Sequence, residues 1–161
     1  MQPTAPVPST EAPRSGSVYH SGTLRLVRPM EELMKHFRWD EIATEKVNEK
    51  FVRKLAWEGG LMIAWMECKQ GCVVPPHSHT NEQLTFVVRG KWRFDIAGKE
   101  LTVGPNEMVY IPPDTVHSAV AVEHLVAYDI FSPPRQDWIK GEDAYLRNAT
   151  AKQVGGRSDF S

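Results

Sequence analysis

Between Lys50 and Phe131, apolar residues recur at every second position in a series of short runs separated by turn-forming residues. KFVRKLAWE (50–58) is stopped by Gly59-Gly60, and then come LMIAWMEC, CVV, QLTFVVRG, KWRFDIAG, KELTVG, EMVYIPP, HSAVAV and HLVAYDIF. A period of two places alternate side chains on opposite faces, as strands do, and many short strands at regular spacing predict a β-sandwich or barrel. No strand–helix alternation points to a parallel sheet. LMIAWMEC (61–68) is apolar on both parities, which predicts cover on both of its faces. Upstream, TLRLVRP (23–29) predicts another short strand and MEELMKHF (30–37) a turn or two of helix. Downstream, SPPRQDWIKGEDAYLRN leaves the sheet at a Pro-Pro break and is expected to pack across it through Trp138, Ile139, Tyr145 and Leu146.

The pattern predicts one all-β domain over residues 18–149, with its core at 58–132, extra N-terminal strands and short peripheral helical segments. Residues 1–17, rich in Pro, Ser and Thr, predict a disordered tail, and 150–161 a frayed end. The full length of 161 residues suffices for one sizeable core. A net charge of −1 leaves no basic footprint for nucleic acid. The densest basic stretch, EKVNEKFVRK (45–54), interleaves both signs and predicts a solvated surface. No apolar run approaches a bilayer span, and the first residues lack the apolar stretch of a secretory leader, so a cytoplasmic protein with no membrane partner is expected. Cys68 and Cys72 are too few for a disulfide framework and have neither zinc-knuckle nor redox spacing, so both are expected to pack as small apolar residues.

The chemistry concentrates in PPHSHTNEQLTFVVRG (75–90). On a strand His77 and His79 share a face and can address one ion, and imidazole suits Zn, Fe, Ni, Mn or Co. Gln83 has the same parity, whereas Glu82, a carboxylate, has the opposite one and reaches the site only if a bulge shifts the strand phase. His117 follows a tight turn at the head of a later strand. His20, His36 and His124 lack this register and are expected to be structural or exposed. Asp129 and Phe131 share a strand face, Asp129 as a candidate general acid or base and Phe131 as an apolar wall. Arg135 offers a planar fork for a carboxylate, unless it merely bridges Asp129.

GCVVPPHSHTNEQLTFVVRG resembles the first motif of the cupin superfamily, G-x5-H-x-H-x(3,4)-E-x6-G, with Gly71, His77, His79 and Gly90 in place and Gln83 in the glutamate slot. NEMVYIPPDTVH resembles the second, G-x5-P-x-G-x2-H, with Pro112 and His117 matching. Asn106 and Asp114 replace its glycines, and these residues best tolerate a left-handed backbone. The Asn expected beyond the histidine is Ala121. The resemblance covers roughly the central half of the chain. It implies a jellyroll barrel (a double-stranded β-helix) holding one divalent metal on His77, His79, Gln83 and His117.

A subset of cupins uses this His, His, Gln, His set, among them isomerases of pectin breakdown that convert an unsaturated uronate to its keto form. DIFSPPRQDW resembles the closing strand of those enzymes, where positions matching Asp129, Phe131 and Arg135 line the substrate pocket. The gap from His79 to Gln83 is one residue shorter than in that group. The resemblance implies an isomerase or tautomerase for a small carboxylated substrate, and a homodimer. A neutral glutamine leaves the ion's charge undiminished, which favours Lewis-acid chemistry over oxygen activation. Alternatives are a flavonol-cleaving type of dioxygenase, a polyketide cyclase-like cupin and a non-catalytic binding module.

Overall fold

A computed structural model describes residues 34–149. They fall in two compact units that divide between His36 and Phe37. The first contributes only Met34, Lys35 and His36, exposed and without regular structure. The segments at 1–17, 23–29 and 150–161, with His20, lie outside the described residues. The helix expected at 30–37 is absent from its described part, residues 34–37.

The second unit contains ten strands: β1 (Glu45–Asn48), β2 (Phe51–Glu58), β3 (Leu61–Cys68), β4 (Val73–His77), β5 (Glu82–Arg89), β6 (Trp92–Ile96), β7 (Lys99–Val103), β8 (Met108–Ile111), β9 (His117–Ala121) and β10 (Leu125–Ser132). Two short helices follow, α1 (Gln136–Lys140) and α2 (Ala144–Arg147). The strands form a six-stranded sheet, β1-β2-β3-β10-β5-β8, and a four-stranded sheet, β4-β9-β6-β7. All pairings are antiparallel. These are the all-β sheets that the alternating pattern predicts, in the jellyroll arrangement that the cupin resemblance implies.

Inward positions carry the core. Phe51, Met62, Met66, Val87, Phe94 and Ile111 are each at most 2% exposed, and burying such a side chain contributes about 1.5–3 kcal/mol. The expectation of two covered faces for β3 needs correction. Met62, Ala64, Met66 and Cys68 are buried, but Ile63, Trp65 and Glu67 are only half-buried. The inner face packs on the opposite sheet, whereas the outer face has partial cover, such as the Trp39 ring lying 5.9 Å from the neighbouring Tyr128 ring.

The turns explain the altered glycine positions. Asn106 and Asp114 adopt left-handed backbone, with φ of 64° and 57°, so the bends survive without glycine. Gly90 has no such substitute, because a Cβ there would lie 2.2 Å from the His124 carbonyl oxygen. Cys68 and Cys72 are buried free thiols. His36 and His124 are exposed.

The basic stretch 45–54 is not simply a solvated surface. Arg53 is fully buried, with Nε 2.8 Å from Glu45 Oε2 and Nη2 2.7 Å from Asp143 Oδ2, a close pair off the line of a hydrogen bond. Arg147 completes the cluster through Asp143, at 2.7 Å, and Glu45. Two positive and two negative charges balance, and the Arg53 guanidinium lies 4.5 Å over the Trp138 ring. The cluster ties α2 to β1 and β2, while Trp138 and Leu146 are buried as expected for the closing segment.

Candidate metal centre and adjoining pocket

Strand register assembles the site. His77 on β4 pairs directly with His117 on β9, and His79 continues the same chain two residues on. Across the interior, β5 and β10 set Gln83 opposite Phe131 and Thr85 opposite Asp129, a block of four inward residues. His77, His79 and His117 each bring a ring nitrogen within 4.8 Å of the others.

Each of these rings is oriented from behind. His77 Nδ1–H donates to the Pro75 carbonyl at 2.9 Å, His117 Nδ1–H to Thr115 at 2.8 Å and His79 Nδ1–H to Asn81 at 3.0 Å. A carbonyl only accepts, so in the neutral ring the lone pair sits on Nε2 in all three cases. Burial is the main force against protonation, and it lowers His77 to a pKa of about 3 and His79 to about 4. The other histidines and the Arg135 charge push the same way. His117, also lowered by burial, leaves its buried Nε2 without a partner.

Gln83 is 5% exposed and faces inward; its Nε2 donates to Thr85 Oγ1 at 3.0 Å, and its Oε1 lies 3.1 Å from His79 Nε2. Two lone pairs therefore face each other, an arrangement that favours a cation beside them. Three convergent imidazole lone pairs and an amide oxygen fit a borderline divalent ion. His77, His79, His117 and Gln83 are the residues able to hold it. Glu82, next in sequence, points outward and accepts a hydrogen bond from Tyr110 at 3.0 Å.

Asp129 is 4% exposed, and Thr85 Oγ1 donates to its Oδ1 at 2.5 Å. Burial raises its pKa to about 6, against the opposing effects of the Thr85 and Gln83 hydrogen bonds and the Arg135 charge. Asp129 and Arg135 share no hydrogen bond or ion pair. Arg135, 3% exposed, commits Nε and Nη2 to Asp137 at 2.9 and 2.6 Å, and Nη2 also donates to Tyr145 Oη at 2.9 Å. The expected free fork is thus occupied on one edge, and Nη1 alone remains unpartnered. Phe131 packs edge-on against His79, with ring centroids 5.7 Å apart.

His77, Gln83, His117, Asp129, Phe131 and Arg135 line one cavity with about 20 Å³ of free space, room for about one water. Trp92 also lines it, and its buried indole Nε1–H has no acceptor. The closing segment contributes Arg135, Trp138 and Tyr145, with the Tyr145 ring 4.8 Å from His77. Thr85, Trp92 and Tyr145 are site residues that the sequence reading missed. Parity with Gln83 could have found Thr85. Trp92 and Tyr145 read equally well as core.

A family model described as Cupin domain matches residues 64–131. KdgF from Halomonas sp. is 30% identical, with a TM-score of 0.62 over 65% of this chain and 98% of that one. An RmlC-like cupin from Shewanella frigidimarina NCIMB 400 is 23% identical, with a TM-score of 0.61 over 65% and 96% of the two chains. Ectoine synthase from P. lautus is 13% identical, with a TM-score of 0.60 over 68% and 86%. The latter two likenesses speak to the fold alone. No curated protein sequence matches the chain. Among the described residues no helix is long and apolar enough to cross a membrane.

Proposed function

Because the chain belongs to the cupin superfamily, we propose that it is a divalent-metal-dependent isomerase or tautomerase of a small, oxygen-rich, carboxylated substrate of the uronate or keto-acid kind. The observation that carries this reading is a buried carboxyl, Asp129, with a pKa raised to about 6 on the cavity that His77, His117 and Gln83 line. Bound by His77, His79, Gln83 and His117, a divalent cation supplies Lewis-acid polarisation of a carbonyl or enolate oxygen.

The chain's own residues do the rest. With a pKa close to the working pH, Asp129 can take a proton from one carbon or oxygen and return it to another, the exchange that a keto–enol conversion requires. Thr85 holds the carboxylate through Oδ1. Arg135 Nη1, buried and unpartnered, offers a charged hydrogen bond to a substrate carboxylate. The Asp137 and Tyr145 contacts stiffen that guanidinium. Phe131 supplies an apolar wall that excludes water from the reacting atoms.

Incubating metal-loaded protein with unsaturated galacturonate and following loss of its ultraviolet absorbance tests the proposal. Acceleration over buffer is expected, with kcat lowered by about 100-fold or more in Asp129→Asn and a higher KM in Arg135→Met. His117→Ala should lose both the metal and the activity. No acceleration by the metal-loaded protein removes this substrate class, and oxygen consumption during turnover replaces the isomerase reading with a dioxygenase.

A further inference from the structure

The Gln83 side chain has two ends with opposite chemistry, and either fits the space beside His79. Its amide oxygen presents a lone pair next to the imidazole lone pair; its NH2 group would donate to His79 Nε2 and satisfy it. The second arrangement is the more comfortable one for an isolated protein, and it would close the imidazole to any cation. The observed arrangement is the first, with Oε1 toward His79 Nε2 at 3.1 Å.

Its cause lies one turn of the pleat away. Asp129 is a buried carboxylate and takes the single Thr85 hydroxyl proton at 2.5 Å. Having given that proton away, Thr85 Oγ1 can only accept along its other direction, and it accepts from Gln83 Nε2 at 3.0 Å. The polarity of the chain Asp129–Thr85–Gln83, to which the Gln83 amide adds its own pull toward Asp129, therefore fixes which end of the amide meets His79. Thr85 is fully buried, so water does not substitute for its hydroxyl. The register supports the same relay, since Thr85 stands opposite Asp129 and two residues from Gln83 on the inward face of β5.

We propose that Thr85 is a positioning residue that holds the Gln83 amide oxygen-first toward the histidine cluster and so keeps the cluster open to a cation. The proposal rests on Gln83 being a metal ligand, as in the function proposed above.

Cobalt(II) affinity by chelator competition, together with the cobalt visible spectrum, tests it on the full chain. Thr85→Val removes the hydroxyl at nearly constant shape. Free of the relay, the amide turns its NH2 to His79, and affinity falls about 10–100-fold, the usual cost of losing an outer hydrogen bond to a metal site, with a changed spectrum. Thr85→Ser keeps the hydroxyl and should stay within about threefold of the parent.

The decisive comparison is made in a Gln83→Glu background. A carboxylate has no donor end to turn inward, so adding Thr85→Val there should change cobalt affinity by less than about threefold. A purely structural role for Thr85 predicts the same loss in both backgrounds and overturns the proposal, as does a Thr85→Val protein that binds cobalt like the parent. If Thr85→Val does not fold, Asp129→Asn reads the relay from its other end. An amide there can donate to Thr85, turning the hydroxyl toward Gln83, and weaker cobalt binding confined to the Gln83 background is again expected; unchanged binding overturns the proposal. Gln83→Ala separates the two ideas. Unchanged cobalt affinity in that variant removes Gln83 as a ligand, whereas a loss in Gln83→Ala with none in Thr85→Val removes only the role of Thr85.

Discussion

Two buried polar groups occupy this barrel, and they are built on opposite principles. At β1, β2 and α2, Glu45, Arg53, Asp143 and Arg147 face one another as two acids and two bases. At β4, β5, β9 and β10, neutral imidazoles, an amide and a carboxylate surround a cavity in which His117 Nε2, Arg135 Nη1 and Trp92 Nε1 find no partner. Each cluster costs desolvation. The first recovers it by charge pairing and fastens the closing segment to the barrel, although Arg53 Nη1 and Nη2 and Asp143 Oδ2 make no hydrogen bond and do not face the cavity. The second turns its unspent valence into the cavity, where it is available to an ion or a substrate. Burial of polar atoms therefore does not by itself mark function in this molecule; unmet bonding capacity directed into a cavity does.

The sharpest way to break the comparison is to unbalance the ionic cluster. Asp143→Ala leaves the fully buried Arg53 with Glu45 as its one acidic partner, shared with Arg147, and should cost about 3–5 kcal/mol in urea unfolding, whereas an Arg53→Met/Asp143→Leu pair should recover most of that loss. The closing segment also lines the cavity, so cobalt affinity measured on the folded fraction tells whether the two clusters are independent.

The site should respond in the opposite sense. Raised from an ordinary 3.8 to about 6, Asp129 favours the native state most where it is protonated in both states, below about pH 4, and that advantage is lost as pH rises through 6. Asp129→Asn should therefore stabilise the metal-free protein by about 3 kcal/mol at pH 8 and have almost no effect at pH 4. An Asn variant no more stable than the parent at pH 8 contradicts the desolvation account.

The histidines carry a contrary pH dependence. With folded pKa values near 3 and 4 for His77 and His79, below the ordinary 6.5, their contribution is complete above pH 6.5 and lost as pH falls through those values. Urea midpoints of metal-free protein should fall on acidification from pH 6.5 to 4, and His77→Asn should flatten the slope. Smallest of all is the outward pair. Glu82→Gln leaves the Tyr110 contact on the surface and should change neither unfolding nor cobalt affinity measurably. A loss of affinity there makes Glu82 a participant in the site.

Much of this was legible in the sequence because strands expose a simple code. Parity alone separates Gln83 from Glu82, and the cupin motifs place His117 near His77 although four strands lie between them in sequence. Parity also fails where a residue's meaning is set by its opposite number. Thr85 sits in QLTFVVR as an ordinary strand threonine, and only the β5–β10 register shows that it meets Asp129. Arg53 reads as surface in a charged run, because its two acids come from β1 and from the segment after α1. Arg135 was legible as a cation on the pocket but not as one already held by Asp137, a contact that the α1 geometry creates.

The ladder that pairs His77 with His117 has a consequence in time. His77, His79 and Gln83 arrive together on one short stretch of chain, but His117 joins them only when β9 closes on β4. An ion that needs all four donors binds after that closure, too late to help the chain across its folding barrier. Metal should accordingly leave the refolding rate nearly unchanged and slow the unfolding rate, so that loaded protein outlasts metal-free protein in denaturant far more than it outruns it in renaturation.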